Sequence, residues 1–572
     1  MESTATTVSP RRCAALLTGL LVLLIPASSA PARTWHVSQK ELPQIDSGEQ
    51  VRTIAEAVSR VEAGDTIVIH GGIYRERVQI DKSGTKDKPI TLRAAQGEYV
   101  VLTGADHLTD WAAVPGEDHV YVTDWPHRFI TWNERNTHPH DEFHRLIGRC
   151  EQVFINAYPM RQVLERDKLA RGTFFVDLDA KTLYVCPADD GDLTNSRTTV
   201  EASVRDRILS IKGDYVNIKG LRFRYAANRA QQGAVEFDGD SLTVTDCVFE
   251  YTNSSGAEFG GDDITVRNCT FQHNGQLGFG ASRCHRLHLT GCVCRNNNTK
   301  GFNRGWEAGG NKICLARGVV LEHSTFVENR GNGIWFDIGN EDCVVRNCLI
   351  ANNEDAGLFY EISYGLHAHD NVIIANGLAD SPGAWGAAAG ISLSSSPGCT
   401  VERNLLLGNK EGFNFREQTR STPNIDGDSE PVWNHDQTVR NNVFAFNRDA
   451  QVWGWFDIAD ERHWPGAMQG SREAAEALSL ERLNLTLANN LYCPGPGQGL
   501  FHWGVTWKKH KKYTNLDDIR EELAMAQGSE TASFGVRDYA ALDLRVPADS
   551  PALRLECYPR GAVPGVQLGI LP

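Results

Sequence analysis

The feature that most constrains this chain is a strand pattern that recurs from residue 216 onwards. Three consecutive copies read V-N-I-K-G-L-R-F at 216–223, L-T-V-T-D-C-V-F at 242–249 and I-T-V-R-N-C-T-F at 264–271. Six further copies align as far as residue 441, at spacings of 22 to 37 residues. Short β runs separated by turns with Asn and Gly, without helical segments, are typical of stacked coils. The sequence therefore predicts an all-β parallel solenoid.

Two side-chain types recur at fixed positions of the repeat. Asparagines are expected to share one turn position, at Asn268, Asn347, Asn371, Asn404 and Asn441. Cysteines are expected to share the next position, at Cys247, Cys269, Cys292 and Cys348, with Ser324 in the remaining coil. A cysteine repeated at an inward position packs as a small apolar residue. We expect a ladder of buried thiols, with disulfides between neighbouring coils as the alternative.

The first 30 residues have the pattern of an export signal. Arg11 and Arg12 precede an apolar run from Cys13 to Ile25, which is followed by Pro26 and small residues. A membrane anchor is the alternative, but this apolar run is short for crossing a bilayer. The sequence predicts a chain that is secreted or periplasmic and has no membrane segment after the signal is cleaved.

The rest of the chain divides by the regularity of its repeat. An amphipathic helix is expected within residues 51–63, where it covers the first coil. The predicted units are an N-terminal cap with the first coils at 31–106, an inserted β-rich module at 107–199 with a hairpin at 173–186, the solenoid core at 200–460 and a C-terminal cap at 461–572. His138, His140 and His144 of the module match no strong metal-binding spacing, so a solvated loop at the rim is favoured.

The net charge argues against a nucleic-acid partner. The chain has 572 residues and a formal charge of −15 at pH 7. Binding to a polyanion requires a basic surface, which in this chain would have to be local. We therefore expect an extended, soluble molecule without a nucleic-acid partner.

Four coils can be aligned on a glycine that precedes a strand. Their sequences are G-I-W-F-D at 333–337, G-L-F-Y-E at 357–361, G-I-S-L-S at 390–394 and G-F-N-F-R at 412–416. Side chains alternate across a strand, and one alternate set is apolar in every coil, so we assign it to the interior. The opposite face then carries two rows: Trp335, Phe359, Ser392 and Asn414 in one, and Asp337, Glu361, Ser394 and Arg416 in the other.

Asp337 and Glu361 are predicted to point outwards from adjacent coils. Neighbouring strands lie about 4.8 Å apart, and like charges this close destabilise a sheet and raise the pKa of one carboxyl group. Retaining glycosidases need two carboxyl groups about 5 to 5.5 Å apart, one as nucleophile and one as acid and base. Glu307 is placed one coil earlier, on a strand flanked by longer loops. The structural alternative is an acidic ladder that pairs with Arg or Lys or binds a cation.

Three segments resemble those of β-helical glycoside hydrolases, a group that includes bacterial β-xylosidases and α-L-fucosidases: W-E-A-G-G at 306–310, W-F-D at 335–337 and Y-E-I-S at 360–363. From about residue 51 to 458 the chain resembles the right-handed parallel β-helices of the pectin-lyase-like superfamily. The resemblance implies that Asp337 is the nucleophile, Glu361 the acid and base, and Glu307 a supporting carboxylate.

The same resemblance implies an inserted module that walls the cleft and an oligo- or polysaccharide substrate of plant or algal type. It implies no cofactor. The residues expected to contact the sugar are Trp306, Trp335, Phe359, Arg416, Lys312 and Asn311.

Two other functions remain open on the same fold. A polysaccharide lyase or C5-epimerase acting on uronates needs a base, for which Lys312, Arg416 or His367 is available, and a cation that neutralises the uronate. The candidate ligands for Ca²⁺ are Glu307, Asp337 and Glu361. The second alternative is a carbohydrate-binding solenoid without catalysis, which leaves the close carboxylates unexplained.

Overall fold

The computed structural model of this chain describes residues 31–129, 145–195, 197–379, 388–417, 420–456, 484–505 and 509–571. Within these ranges each complete coil contributes one strand to each of three long parallel sheets. The predicted all-β solenoid is therefore confirmed. The predicted export signal, and His138, His140 and His144 of the module, lie outside the described residues.

The three sheets are numbered in the order in which a coil visits them. The first sheet contains, from the N-terminal end, Gln50–Val51, Thr34–Val37, Thr66–Ile69, Ile90–Ala94, Val216–Lys219, Thr243–Thr245, Thr265–Arg267, His288–Thr290, Val320–Glu322, Val344–Arg346, His367–His369, Thr400–Glu402, Thr438–Arg440 and Thr486–Ala488. The second sheet contains Gly72–Tyr74, Val100–Thr103, Arg222–Arg224, Val248–Glu250, Thr270–Gln272, Val293–Arg295, Thr325–Val327, Leu349–Ala351, Val372–Ile374, Leu405–Leu407, Val443–Ala445, Leu491–Cys493 and Glu530–Thr531. The third sheet contains Val78–Ile80, Leu209–Ile211, Gly233–Phe237, Ser255–Phe259, Leu277–Ser282, Gly309–Cys314, Ile334–Asp337, Leu358–Glu361, Ala389–Ser394, Glu411–Glu417, Ala450–Phe456, Gly499–Val505 and Lys509–Tyr513.

Aromatic side chains stack along the interior because the coils are in register. Phe223, Phe249 and Phe271 of the second sheet follow one another with ring centroids 5.2 and 4.9 Å apart. Phe237 and Phe259 of the third sheet stack at 5.0 Å. All five side chains are fully buried, and burial of one such side chain contributes roughly 1.5–3 kcal/mol. The repeated interior positions therefore hold the coils in register.

The predicted thiol ladder is confirmed. Cys247, Cys269, Cys292 and Cys348 are buried and unpaired. Ser324 takes the intervening coil, where its hydroxyl accepts a hydrogen bond from the Cys292 N–H at 3.0 Å. In the described part of the chain every cysteine is free, so the alternative of disulfides between coils is not observed there.

The predicted asparagine ladder is partly wrong, because two of its members lie one position later. Asn268, Asn347 and Asn441 occupy a turn residue with a left-handed backbone, at φ of 53°, 52° and 53°. Asn371 and Asn404 instead continue the inward row of the cysteines and are fully buried. There the Asn371 side-chain oxygen accepts from the N–H of residue 348 at 3.0 Å. Asparagine suits both positions, so residue type alone does not separate them.

A second asparagine ladder, which the repeat alignment does not reveal, leads into the third sheet. Its members are Asn274, Asn297, Asn329, Asn353, Asn376, Asn409 and Asn447, and each amide donates to the side-chain oxygen of the next at 2.9 to 3.1 Å. Each side-chain nitrogen also donates to a carbonyl of the second-sheet strand in the preceding coil, as Asn274 does to Phe249 and Asn297 to Phe271. Each side-chain oxygen also accepts from a backbone N–H of the turn, as Asn297 does from Asn274, so these buried backbone groups have partners. This turn therefore has the same geometry in seven coils.

The predicted N-terminal helix is confirmed and is shorter than expected, spanning Ile54–Arg60. Thr53 caps it, because its side chain accepts from the N–H of Glu56. In the described ranges the other α-helices are Leu516–Leu523 and Pro551–Arg554, and the short 3-10 helices are Ser47–Glu49, Arg145–Gly148 and Arg166–Lys168. Across the described ranges, none of the helices combines the length and the apolar character needed to cross a membrane.

The solenoid continues for one coil beyond the predicted boundary at residue 460, so that boundary is wrong. Thr486–Ala488, Leu491–Cys493 and Gly499–Val505 extend the three sheets. The long segment that separates this coil from the preceding one conceals the period in the sequence. Lys509–Tyr513 then pairs antiparallel with the last parallel strand of the third sheet, and this ends the sheet.

The predicted C-terminal cap has two parts. The helix Leu516–Leu523 joins the interior core next to the final strand Lys509–Tyr513, and the residues that follow the helix lie along the side of the solenoid. Phe534, Leu544 and Val546 pack against outward apolar residues of the second sheet. Those outward residues are Leu349, Ala351, Val372, Ile374, Leu405, Leu407, Val443, Ala445, Leu491 and Cys493. Strands such as L-L-L at 405–407 are apolar on both faces, so the outer face needs a cover as well.

The inserted module contains two small sheets beside the solenoid. One contains Tyr158–Pro159, Val153–Ile155, Val200–Ser203 and Ala105–Leu108, and the other Arg161–Val163, Thr173–Asp177, Thr182–Cys186, Tyr121–Asp124 and Ala112–Ala113. The antiparallel pair of Thr173–Asp177 with Thr182–Cys186 is the predicted hairpin. The module is anchored where the Phe154 ring stacks on Tyr225 of the solenoid, at 3.6 Å between centroids.

Candidate active site

Asp337 and Glu361 are direct register partners on neighbouring strands of the third sheet. Each is the last residue of its strand and is followed by an isoleucine in the left-handed region, Ile338 at φ 61° and Ile362 at φ 39°. That conformation is rare for β-branched residues, and it ends both strands immediately after the carboxylates. The local backbone thus sets the two side chains at the same edge of the sheet.

The two outward rows are confirmed by the strand register. Trp335 pairs with Phe359, Ser392 and Asn414 along one row, and Asp337 pairs with Glu361, Ser394 and Arg416 along the other. The Trp335 and Phe359 rings stack at 5.6 Å. Each is only 3% exposed, so the aromatic pair forms a covered floor beneath the charged groups rather than an open platform.

Lys312 connects the acidic groups of this face. Its Nζ lies 2.9 Å from Asp337 Oδ2 and 3.2 Å from Glu307 Oε1, and it sits 4.4 Å from the centre of the Trp335 ring. Burial by itself lowers the pKa of Lys312, but the carboxylates of Asp337 and then Glu307 outweigh it and hold the pKa above its ordinary value. The ammonium group therefore stays charged.

Glu361 has a different environment from its register partner. Burial, followed by the charge of Asp337, raises the pKa of Glu361, while Arg420 and Arg416 oppose this shift. The Arg420 guanidinium donates directly to Glu361 Oε1. Arg420 belongs to the hairpin formed by Arg420–Pro423 and Ser429–Val432, which leaves the solenoid after the third-sheet strand of its coil.

Glu307 lies in a turn rather than on the strand that was expected for it. The strand Gly309–Cys314 begins two residues later, and Glu307 has a left-handed φ of 104°. Such a backbone costs a residue with a side chain roughly 1–3 kcal/mol, and the carbonyl of Glu307 is held by the Gln276 amide at 2.7 Å. Lys312 nevertheless links the carboxylate of Glu307 to that of Asp337 by contacting both.

Four polar atoms on this face are buried without a hydrogen-bond partner among the described residues. They are Trp335 Nε1, Asp337 Oδ1, Ser392 Oγ and Ser394 Oγ. Buried polar atoms in proteins are almost always hydrogen-bonded. Three of these four can donate and one accepts, which suits a ligand that carries several hydroxyl groups.

Two residues of this region are absent from the sequence prediction. Arg420 comes from the hairpin, which lies outside the repeat and gives no positional signal. Glu258 stands in the Trp335 row, two coils before Lys312, and G-A-E-F at 256–259 repeats the pattern that identifies that row. Its carboxylate folds over Gly280, where a β-carbon would lie 2.4 Å from Glu258 Oε2. Burial, followed by the charge of Glu307, raises the pKa of Glu258 to about 8.

Three predicted residues lie elsewhere. Asn311 lies in an inward-facing row of the third sheet, where Phe279 of the preceding coil is its register partner, and it is fully buried. The expectation that Asn311 contacts sugar is therefore wrong. His367 lies on the first sheet, where it pairs with Glu402 at 3.2 Å, so it is not a base for this site. Trp306 is next to Glu307 but packs on Phe302 at 6.2 Å between ring centroids, apart from the aromatic pair.

The acidic residues Glu307, Asp337 and Glu361 of this face each contact a cationic side chain. Within the described residues, no three His, Cys, Asp or Glu side chains converge as a metal site would require. The Lys312 ammonium group contacts both Glu307 and Asp337, and Arg420 contacts Glu361. Because each carboxylate already binds a cationic side chain, this donor set does not fit Ca²⁺.

Known proteins match this chain in part. The family model described as a right-handed beta helix region matches residues 233–406, and that of chondroitinase B matches residues 49–113. The uncharacterized protein YwoF of Bacillus subtilis is 43% identical over 53 residues, 9% of this chain and 11% of that protein. Pectate lyase PEL9 of Emericella nidulans is 41% identical over 58 residues, 10% of this chain and 14% of that protein. The chain thus spans about one eighth of the length of these relatives.

A solved structure covers far more of the molecule. The complex of XylC with xylose matches 82% of this chain and 85% of its own, with a TM-score of 0.62 and 19% identity. At this identity the likeness shows the fold. Together with the observed sheets and the matching family model, it shows that this chain folds as a right-handed parallel β-helix, as the sequence predicted.

Proposed function

We propose that this protein is a retaining glycoside hydrolase that acts on an oligo- or polysaccharide. The proposal rests on the different surroundings of the two register partners, Asp337 and Glu361. Lys312 holds one oxygen of Asp337, and the other oxygen has no partner in the described part of the chain. The pKa of Glu361 is raised by burial and by Asp337. Neighbouring carboxyl groups in such different environments suit a nucleophile and a proton donor.

The proposed reaction has two displacements. Asp337 Oδ1 forms a bond to the anomeric carbon while the bond from that carbon to the leaving oxygen breaks, and Glu361 gives its proton to that oxygen. Arg420 and Arg416 then stabilise the Glu361 carboxylate. In the second step Glu361 takes a proton from water, which attacks the anomeric carbon and releases Asp337. Two inversions retain the anomeric configuration.

The surrounding residues support these steps. Lys312 fixes the second oxygen of Asp337 and ties Glu307 to it, which keeps the nucleophile from rotating. Trp335 Nε1 and the hydroxyls of Ser392 and Ser394 are buried donors that sugar oxygens can satisfy. A hydrolase of this kind needs no cofactor, and we propose none.

The comparisons support a carbohydrate as the substrate class. The matching XylC structure is a complex with xylose, and the relative in Emericella nidulans is named a pectate lyase. We propose that the substrate is a plant or algal type glycan, and that xylosides are the first compounds to test.

A lyase or C5-epimerase acting on uronates is the second candidate, favoured by the short match to PEL9 and by cationic groups beside the carboxylates. Its base must lose a proton before it can act. Lys312 has a raised pKa, and His367 belongs to another sheet. The carboxylates also do not fit Ca²⁺. These observations rank the lyase below the hydrolase.

The test is a panel of aryl glycosides and polysaccharides, run on wild type and on Asp337→Asn together. We expect wild type to release the aryl group from at least one glycoside, with or without a chelator, and Asp337→Asn to lose about 10³-fold or more of kcat. Asp342→Asn, which alters an exposed aspartate in the following turn, is the matched control and should resemble wild type.

The panel also separates the other functions. An unsaturated product with ultraviolet absorbance, lost on adding a chelator, would identify a lyase. Sugar binding without any turnover would identify a non-catalytic solenoid. Cleavage by Asp337→Asn at the rate of wild type would reject the nucleophile assignment.

We also propose that the protein is exported, on the basis of the N-terminal segment. The expected result is a mature chain that begins close to residue 31 when the full sequence is expressed in a bacterial host. Mass spectrometry of the protein recovered from the periplasm or medium measures this. An intact N-terminus on protein that stays in the cytoplasm would contradict the proposal.

A further inference from the structure

A cavity of about 560 Å³ lies between the inserted module and the solenoid. Its volume is in the range of small-molecule sites. Neither Asp337 nor Glu361 lines it, and the proposed hydrolysis uses none of its residues. Among the residues that line the cavity are Glu151, Met160, Gln162 and Phe174 of the module, and Asn253 and Lys300 of the solenoid.

Gln162 presents an unsatisfied acceptor on the cavity wall. The residue is 9% exposed, its Nε2 donates to Glu151 Oε2 at 3.1 Å, and its Oε1 has no partner among the described residues. Rotating the amide by half a turn would set its oxygen against the Glu151 carboxylate, so the orientation is fixed. A buried amide oxygen without a partner is costly unless a ligand donates to it.

Lys300 of the solenoid presents a donor in the same cavity. Its ammonium group donates to the carbonyl of Arg149 and to Asn253 Oδ1. An ammonium group has three N–H donors. Two of them have acceptors in the described part of the chain, which leaves the third for a ligand. Glu151 is balanced separately, since Arg149 Nη2 contacts its carboxylate at 2.9 Å. The cavity therefore offers an acceptor from the module and a donor from the solenoid.

The rest of the wall is apolar and aromatic. Phe174 is 1% exposed and Met160 packs with it in the core of the module. Tyr251 and His273 of the solenoid stack at 5.0 Å between ring centroids and also line the cavity. Apolar ring faces combined with a few fixed polar groups are typical of sites for molecules with both an apolar face and hydroxyl groups.

We propose that this cavity is a second carbohydrate-binding site, which takes an uncharged sugar unit with adjacent hydroxyl groups. One hydroxyl donates to Gln162 Oε1, another accepts from Lys300 Nζ, and the ring packs against the apolar wall. A carboxylate ligand would face the Gln162 oxygen and the Glu151 carboxylate, which disfavours an acidic sugar. The choice of a sugar, rather than another small polyhydroxylated molecule, rests on the proposed function.

Hydrogen–deuterium exchange tests this site without relying on turnover. The full-length Asp337→Asn protein is measured with and without xylo-, arabino- or cello-oligosaccharide, and with oligogalacturonate as the acidic probe. We expect at least one neutral probe to slow exchange in segments 149–162 and 296–302. Gln162→Met should weaken that protection by about fivefold or more in apparent Kd. Met160→Trp, which adds bulk at the apolar wall of the cavity, should abolish it.

The outcomes separate this inference from the proposed function. Protection that is lost in both variants supports the site even if wild type hydrolyses no glycoside. Hydrolysis of aryl glycosides should be unchanged by Gln162→Met in an otherwise wild-type chain. The inference is overturned if no neutral probe protects these segments, if only oligogalacturonate does, or if both variants keep the protection of the parent.

Discussion

Lys300 and Lys312 lie in the same coil, twelve residues apart, and their surroundings move their pKa values in opposite directions. Lys312 contacts two carboxylates, which hold its pKa above the ordinary value against the effect of burial. Lys300 contacts a backbone carbonyl and an amide oxygen, and burial lowers its pKa to about 8. The neutral acceptors bond to the charge but do not compensate for its removal from water.

This difference separates two kinds of surface in one molecule. Around Lys312 the third sheet carries a network of paired charges, in which Glu361 and Glu258 have raised pKa values and one oxygen of Asp337 has no partner among the described residues. Around Lys300 the cavity has polar groups balanced locally and an apolar wall. The surroundings of Lys312 suit bond cleavage, and the cavity at Lys300 suits binding. Substitutions in the two regions should therefore have different effects.

After Asp337→Asn, the largest expected effect comes from removing the proton donor on the charged side. Glu361→Gln should lower kcat by about 10²–10⁴-fold for glycosides whose leaving group needs a proton. A dinitrophenyl glycoside needs little protonation, so its rate should fall much less. Steady-state kinetics with both leaving groups measures the contrast. Equal losses for the two substrates would mean that Glu361 is not the acid.

Substitution of the two lysines should cost different amounts of stability. Lys312→Met leaves the carboxylates of Asp337 and Glu307 without their cation and should cost roughly 3–5 kcal/mol. Lys300→Met leaves only two neutral acceptors unsatisfied and should cost about 1–3 kcal/mol. Urea unfolding of the two variants and wild type gives the comparison. A larger loss for Lys300→Met would contradict the distinction drawn here.

The same pair should also differ in how stability depends on pH. The lowered pKa of Lys300 means that the unfolded chain binds more protons between pH 8 and the ordinary value of 10.5, so this group makes stability rise with pH in that window. The raised pKa of Lys312 gives stability that is complete below pH 10.5 and is lost above it. Each trend should vanish in the corresponding methionine variant when unfolding is measured across pH. Parallel trends would contradict the assigned environments.

The smallest expected effect concerns Glu258. Its pKa of about 8 lies above the ordinary value of 4.5, so the folded state holds a proton that the unfolded chain has lost, and wild-type stability falls as pH rises through that interval. Glu258→Gln removes this dependence and should raise Tm relative to wild type by a few degrees at pH 8 but not at pH 4. Glu117→Gln, on an exposed surface pair, is the control. A difference in Tm between Glu258→Gln and wild type that stays constant across pH would contradict the raised pKa of Glu258.

The sequence predicts the face around Asp337 because two periods coincide there. Side chains alternate along each strand, and a coil of 24 residues returns Glu361 to the position beside Asp337. Nothing in that inference requires knowledge of the loops. Glu258 obeys the same rule and could be found by extending the alignment upstream.

The remainder of the site depends on segments outside the period. Arg420 reaches Glu361 from a hairpin, and Glu307 is held in a turn by Gln276, so neither position follows from strand alternation. Asn311 has a polar side chain at an inward position, where hydrogen bonds at a coil boundary replace apolar packing. The cavity at Lys300 requires the module to dock on the solenoid, a contact between chain segments far apart in the sequence.

The most direct test of the account is to trap the covalent intermediate. Wild-type protein is incubated with the 2-deoxy-2-fluoro analogue of whichever glycoside it hydrolyses, and the labelled peptide is sequenced by mass spectrometry. We expect one fluoroglycosyl group per chain, attached to Asp337 and absent from Asp337→Asn. Labelling of another residue, or turnover that inverts the anomeric centre without labelling, would contradict it.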